Sequence, residues 1–312
     1  MHIFAKKKPL RLNIMNGKKL EQLEFVVLLL PLTIVMLVFN YLPMAGLAVA
    51  FSDLKAGQSV FDMNIIGFKW FQKLFNDSTY WRAFRNTLRI SIVNLLVTFP
   101  IPIIFALLLN EIRVGPFKKF TQSASFFPYF ISTVIIVQLL MNFVAYDDGL
   151  INNLRYSEGL DSINFRNLPQ WFTPFYVGTG VWSGTGWSSV IYLSAMTAID
   201  PGLYEAATLD GCGKFKQMIY ITIPQIKSTI MMMLILALGS ILGVGYEKTM
   251  LLSNDLIRDT TEVLATYIYR TGVVNWQLAY STAMGLFGNI INFITLIGAN
   301  YASKKLTEES LW

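Results

Sequence analysis

Cysteine and histidine, the usual thiol nucleophile and general base, are nearly missing from this chain. Of its 312 residues one is a cysteine, Cys212, and one a histidine, His2. That scarcity removes an internal disulfide, a Cys/His metal site within the chain and a histidine-based catalytic triad. No His-Glu-x-x-His pair, Gly-x-Ser-x-Gly turn or Gly-x-x-x-x-Gly-Lys-Ser/Thr phosphate loop occurs. The chain therefore reads as a non-catalytic protein with no cofactor or metal of its own, and any ATP hydrolysis has to be supplied by another subunit. What remains is physical chemistry: polar side chains set into apolar runs, and one long polar segment, 200–224, that is too ordered for an idle linker.

The embedded polar residues repeat at helical spacing. Trp182, Thr185, Ser189 and Tyr192 share one face, Gln138 and Asn142 lie one turn apart, and Asn289 and Asn292 repeat the pattern near the end of the chain. Sugars offer hydroxyls to amides and a C–H face to aromatic rings, so such a stripe suits an oligosaccharide, with no net charge required of it. The competing reading is packing. Gly178, Gly180, Gly184 and Gly186, with the nearby Ser and Thr, would equally let helices approach closely.

The elements that would hold these residues are membrane helices. Apolar residues make up 54% of the sequence and charged ones only 14%, with a mean hydropathy of +0.49, a balance foreign to soluble domains. The net charge of +6 sits beside apolar runs rather than in a basic stripe with interleaved aromatics, so nucleic acid is not the expected partner. A membrane helix needs about 20 mostly apolar residues. Six runs approach that length: Phe25–Leu42, Phe84–Leu109, Phe126–Val144, Phe175–Ile199, Ile226–Val244 and Tyr280–Tyr301. None alternates polar and apolar residues as a membrane strand would. The first run is expected to stay as an anchor, although Ala48-Val49-Ala50 resembles a signal cleavage site.

Lys6, Lys7, Lys8, Arg11, Lys18 and Lys19 precede the first run, which puts the N-terminus in the cytoplasm by the positive-inside rule. Arg113, Lys118 and Lys119, and the closing Lys304 and Lys305, agree. Lys69, Lys73, Arg82, Arg85 and Arg89 count against it. The expected organisation is an N-terminal cytoplasmic segment, 1–24, one transmembrane domain, 25–303, and a cytoplasmic tail, 304–312. Residues 66–75 suit an amphipathic helix lying on the membrane or a buried packing helix. Glu247 and Lys248, at the outer end of the fifth run, read as partners for another chain or as a snorkelling surface pair.

Segment 200–224 falls between the fourth and fifth runs, on the cytoplasmic side. Pro201 suits a first helical turn, Tyr204 to Leu209 favour helix, Gly211 and Gly213 permit a left-handed stop, and Pro224 ends or kinks the next helical stretch. This predicts a helix–turn–helix elbow beyond the bilayer, with small Ala206 and Ala207 able to press closely against a partner protein.

The residues Glu205-Ala206-Ala207, then Gly211, then Ile221 and Ile223-Pro224 resemble the EAA loop that forms the coupling helix of ABC-type importer permeases. Ile223 stands where that family usually has Leu. Ala198-Ile199-Asp200-Pro201, Gly245-Tyr246-Glu247, Thr266-Tyr267-Ile268-Tyr269-Arg270 and Ser310-Leu311-Trp312 extend the likeness to the LplB-like polysaccharide permeases, over nearly the whole chain. The resemblance implies an all-α membrane protein of the bacterial cell membrane, with six transmembrane helices and a coupling helix between the fourth and fifth. Its ATPase-coupling residues would be Tyr204, Glu205, Ala206, Ala207, Asp210, Gly211, Ile221 and Pro224. It also implies a second homologous permease, two ATPase subunits carrying ATP and Mg, an extracytoplasmic solute-binding lipoprotein, and an oligosaccharide as solute. A non-carbohydrate solute is the alternative. A secondary transporter fits less well, because the runs hold almost no ionisable residue to couple an ion gradient.

Overall fold

The computed structural model describes residues 15–55, 57–307 and 309–311. Lys6, Lys7, Lys8, Arg11 and Trp312 lie outside the described residues. The described chain is helical without a strand, its sheet content limited to one bridge between Ser52 and Ile65.

The first half comprises α1 (Met15–Met36), α2 (Lys69–Phe75), α3 (Ser78–Thr98), α4 (Pro100–Glu111), α5 (Pro116–Phe126), α6 (Thr133–Phe143) and α7 (Leu150–Ser157). The central helix is α8 (Pro169–Thr197), followed by α9 (Pro201–Leu209). The remainder comprises α10 (Lys214–Gln217), α11 (Ile223–Gln225), α12 (Lys227–Gly239), α13 (Tyr246–Leu252), α14 (Arg258–Thr261), α15 (Leu264–Tyr269) and α16 (Leu278–Thr307).

Among the described residues three helical stretches are long and apolar enough to cross a membrane by themselves: Phe25–Phe51, Ser78–Glu111 and Leu278–Lys305. They contain the first, second and sixth predicted runs. Two further stretches reach the required length only as bent pairs, which brings the number to five. The third run, expected as one span over 126–144, is split: Pro116–Phe130 and Thr133–Phe143 meet at 98°. Ile131 is extended, and Ser132 caps α6 by accepting the Ile135 N–H, so a helix start falls inside an apolar run. The fifth run is bent as well, by 64° between Lys214–Gln225 and Lys227–Gly239, and α12 stops at Gly239, short of Val244.

Prolines explain two of the irregular turns. Pro224 lacks an N–H and its ring would strike the carbonyl four residues back. The chain widens ahead of it into a π turn over Met218–Thr222, then bends at Ile226. Pro43 is likewise preceded by a π turn, Leu37–Tyr41, which carries α1 without interruption into the tighter helix Leu42–Phe51.

The fourth run is α8. Its 29 residues correspond to about 43 Å, ample for a bilayer, yet its Gly, Ser, Thr and Trp make it less apolar than the three free-standing spans. It lies inside the molecule and packs on α3, α4, α5, α6, α12 and α13. At Gly186 a Cβ would lie 2.1 Å from the Ser125 carbonyl oxygen, so only glycine lets α8 and α5 come this close. Two apolar clusters flank it. Ile90, Val137, Phe172, Tyr176, Val177 and Val263 form one, and Ala106, Leu107, Tyr192, Met196, Ile199 and Ile226 the other.

Helix α2 packs rather than floats. Trp70 donates its indole N–H to the Ser52 carbonyl at 2.7 Å, and Leu74 is fully buried beside Tyr80 and Tyr280. Its other face leaves Phe75 exposed.

A polar knot holds the start of α3. Asp77 caps that helix with Oδ1 on the N–H groups of Thr79 and Tyr80, while Oδ2 accepts the hydroxyls of Tyr267 and Tyr280, each at 2.6 Å. Burial disfavours the charged carboxylate, but these hydroxyl and N–H donors outweigh it and hold its pKa below the ordinary 3.8. One side chain thus ties together α3, α15 and α16.

Candidate functional site

The elbow is built from local signals that close on one another. Asp200 accepts the Gly202 N–H at 2.9 Å and Pro201 occupies the first turn of α9. The other end closes through two backbone bonds, Gly211 N–H to the Thr208 carbonyl and Cys212 N–H to the Ala207 carbonyl. That pattern requires a left-handed residue after the cap, and Gly211 supplies it at φ +77°. Gly213 does not share the role expected of it: its φ is −72°, an ordinary value, and it precedes α10.

None of the α9 residues is buried. Glu205, Ala206 and Asp210 are exposed, Ala207 is half-buried and Leu209 projects with 90% of its surface free. Behind this face four contacts fix the elbow to the body. The Tyr204 hydroxyl meets Thr222 Oγ1 at 2.9 Å, and Tyr204 and Ile221 pack on the Ala106–Ile226 cluster. Gln217, only 2% exposed, donates its amide to Thr208 Oγ1 and to the Cys212 carbonyl, bracing both sides of the turn. Its Oε1 has no hydrogen-bond partner among the described residues. Lys214 reaches Glu111, at the end of α4, at 3.4 Å. Pro224 lies just beyond, at the bend into α12. Nothing in the sequence marks Gln217 or the Glu111 ion pair, because both depend on where the chain returns.

The predicted solute residues do not gather in one place. A cavity of about 290 Å³ opens between α3, α8 and α12, and a second of about 280 Å³ adjoins it, with Asn94, Thr98, Pro102, Tyr176 and Ser188 shared by both. On α8 the lining follows the spacing Tyr176, Gly180, Gly184, Ser188, Tyr192, one residue every four. Of the predicted stripe, Tyr192 and Thr185 lie on this lining. Trp182 lies instead in an apolar groove with Val93, Val97 and Ile101. Ser189 is fully buried and donates to the Gly186 carbonyl. Gln138 and Asn142 bond each other at 2.9 Å on an exposed face of α6. Asn292 accepts the Leu242 N–H at 3.1 Å, and Asn289 is exposed. Among the described residues the lining contains no carboxylate. Its one charged side chain is Lys248, which turns inward from α13 rather than outward as its position near a span end suggests. Among the described residues no cluster of His, Cys, Asp and Glu could hold a metal ion.

An all-helical body with helices long enough to cross a membrane, an exposed elbow and a polar cavity fits the class that the sequence resembles, the non-catalytic permease subunit of an ABC importer. The chain belongs to the family described as the binding-protein-dependent transport system inner membrane component, matched over residues 80–308. It is 41% identical over 310 residues to the polygalacturonan/rhamnogalacturonan transport system permease protein YteP of Bacillus subtilis (strain 168), covering 99% of this chain and 96% of that protein. It is 39% identical over 285 residues to Protein LplB of the same organism, covering 91% and 90%. A solved bacterial alginate ABC transporter in complex with an alginate pentasaccharide-bound periplasmic protein superposes with a TM-score of 0.84 at 35% identity, covering 96% of this chain and 99% of that one.

Proposed function

We propose that this chain forms half of the translocation path of a carbohydrate importer of the bacterial cell membrane, and that its elbow receives the stroke of a separate ATPase. The carrying observation is the elbow itself. A helix with no buried residue, stopped by Gly211 and braced from behind by Gln217, can be pushed as a body without unwinding. Tyr204, Glu205, Ala206, Ala207, Asp210, Gly211, Ile221 and Pro224 make or support the contact. The partners are two ATPase subunits carrying ATP and Mg, a second homologous but different permease, and an extracytoplasmic lipoprotein that delivers solute.

The solute is an oligosaccharide or polysaccharide fragment. The names of YteP and of the alginate transporter support this class, and a cavity lined by Tyr, Asn, Ser and Thr suits it chemically. Residues 25–303 form one six-span domain, both termini face the cytoplasm, and ATP binding below switches the cavity between its two openings.

The test uses the complete complex in proteoliposomes. Ala207→Trp should abolish ATP-driven uptake while the subunit still inserts and the binding protein still loads. Normal uptake in that variant sinks the reading. An ATPase-dead partner should stop uptake and a proton uncoupler should not; the reverse result would identify a secondary transporter.

A further inference from the structure

The fifth apolar run does not stay helical to its outer end. Helix α12 has 13 residues and spans about 20 Å, well short of the roughly 30 Å hydrocarbon core. Residues 240–245 carry the chain onward without helix to the start of α13. Irregular backbone at that depth is tolerated only where it is buried in protein or lines a cavity. Here Ser240, Ile241, Gly243 and Val244 line the cavity between α3, α8 and α12.

Side chains from two other helices pin this segment. Asn292 of α16 accepts the Leu242 N–H through Oδ1 at 3.1 Å, and the Tyr176 hydroxyl of α8 accepts the Gly245 N–H at 3.0 Å. The N–H groups of Ser240, Ile241 and Gly243 go to the carbonyls of Ala237, Leu238 and Ser240. Gly243 permits the last of these turns, since a Cβ there would lie 2.8 Å from the Ser240 carbonyl oxygen. Five of the six N–H groups are therefore engaged inside this chain, by bonds that a second permease neither makes nor replaces. A wall whose donors are consumed presents acceptors. Carbonyl oxygens take hydrogen bonds from hydroxyls and cannot pair with a carboxylate, which is an acceptor too.

We infer that the carbonyl oxygens of residues 240–245 form a contact site for solute hydroxyls, and that Asn292 and Tyr176 are the positioning residues that hold this backbone against the path. This rests on the cavity being the translocation path. Asn292, expected to meet the solute itself, then acts on it through Leu242. The site reads hydroxyl groups, which every saccharide carries, and is indifferent to whether the sugar is charged.

The experiment measures uptake and ATP hydrolysis together in proteoliposomes containing the full complex, with a panel of short oligosaccharides and their monodeoxy analogues delivered by saturating loaded binding protein. Tyr176→Phe keeps the ring and removes one acceptor; Asn292→Leu removes the other. Each should lower the solute imported per ATP about three- to tenfold, the loss expected for one hydrogen bond, while loaded binding protein still stimulates hydrolysis. Asn292→Asp keeps an acceptor for the Leu242 N–H and should restore most of the wild-type ratio. At least one deoxy analogue should be imported less well than its parent by wild type but equally well by the pin variants, because the contact it lacks is already gone. A deoxy penalty identical in wild type and variants, or a parallel fall of uptake and hydrolysis, overturns the assignment. Loss of the second permease from the purified variants overturns it too, by making the wall a subunit contact. Ser188→Trp, which fills the cavity from α8, tests the reading beneath. If uptake survives it, or if no saccharide is imported by wild type, the path and the contact site fall together; if it blocks uptake while the pin variants behave as wild type, only the contact site falls.

Discussion

The two ends of the long helical stretch Ser78–Glu111 are tied to the rest of the chain in opposite ways. At Asp77 a single carboxylate gathers two backbone N–H groups and two tyrosine hydroxyls, the latter from residues 190 and 203 positions away in sequence. Around it Leu74, Tyr80, Tyr280 and Met284 are completely or almost completely buried. At Glu111 the polar tie is one ion pair to Lys214, whose side chain is 75% exposed, and the rest is apolar packing of Ala106 and Leu107 in the cluster that also takes Tyr204 and Ile221 of the elbow, whose helix α9 has no buried residue. The contrast separates two tasks. One end is tied by a buried polar knot; at the other the exposed helix α9 is held from behind by Tyr204, Gln217 and their neighbours while its outer face stays free.

Breaking the first end should have the largest effect. Asp77→Ala strands two tyrosine hydroxyls and uncaps α3, and should cost about 3 kcal/mol or more in unfolding free energy. Thermal unfolding of the purified complex reads it, and an unchanged midpoint would show that the knot holds nothing. Acid should act at the same place. Since the folded pKa of Asp77 lies below 3.8, its contribution is complete above that pH and fades as pH falls through the depressed value. The midpoint difference between wild type and Asp77→Asn should stay constant between about pH 7 and pH 5 and shrink below about pH 4.

Changes at the second end should disturb coupling more than stability. Gly211→Val forces a branched side chain into left-handed backbone, at a cost of about 1–2 kcal/mol, and should depress uptake far more than it depresses the midpoint. Gln217→Leu removes two hydrogen bonds and one orphaned oxygen together, so the net stability change should stay within about 1 kcal/mol while uptake per ATP falls several-fold. Glu111→Gln should be the mildest, below about 1 kcal/mol, because the pair is screened by water. If it proves as damaging as Asp77→Ala, the contrast between the two ends is lost.

Short-range signals are legible in the amino-acid order and long-range ones are not. Asp200, Pro201 and Gly211 each act within a few residues, so the limits of α9 follow from their chemistry. The bends at Ser132 and Ile226 fall inside runs whose apolar content is uniform, and there hydropathy conceals a cap and a delayed proline kink. The cavity face of α8 is hidden for a different reason. Mixed polar and aromatic residues surround that helix, and only its neighbours decide that Tyr176, Ser188 and Tyr192, not Trp182, turn toward the open space. Lys248 misleads in the same way: sequence position puts it near a span end, whereas the fold of α13 over Tyr176 turns it inward.

The modest apolar content of α8 bears on how the protein is made. A segment this rich in glycine and hydroxyl groups gains little by entering lipid alone, so its residence in the membrane depends on being received by other helices. Translation order provides them: α3, α4, α5 and α6, which line its flanks, all leave the ribosome first. Insertion of this subunit would thus follow its own residue order, with a weakly apolar helix arriving after four of the helices it packs on.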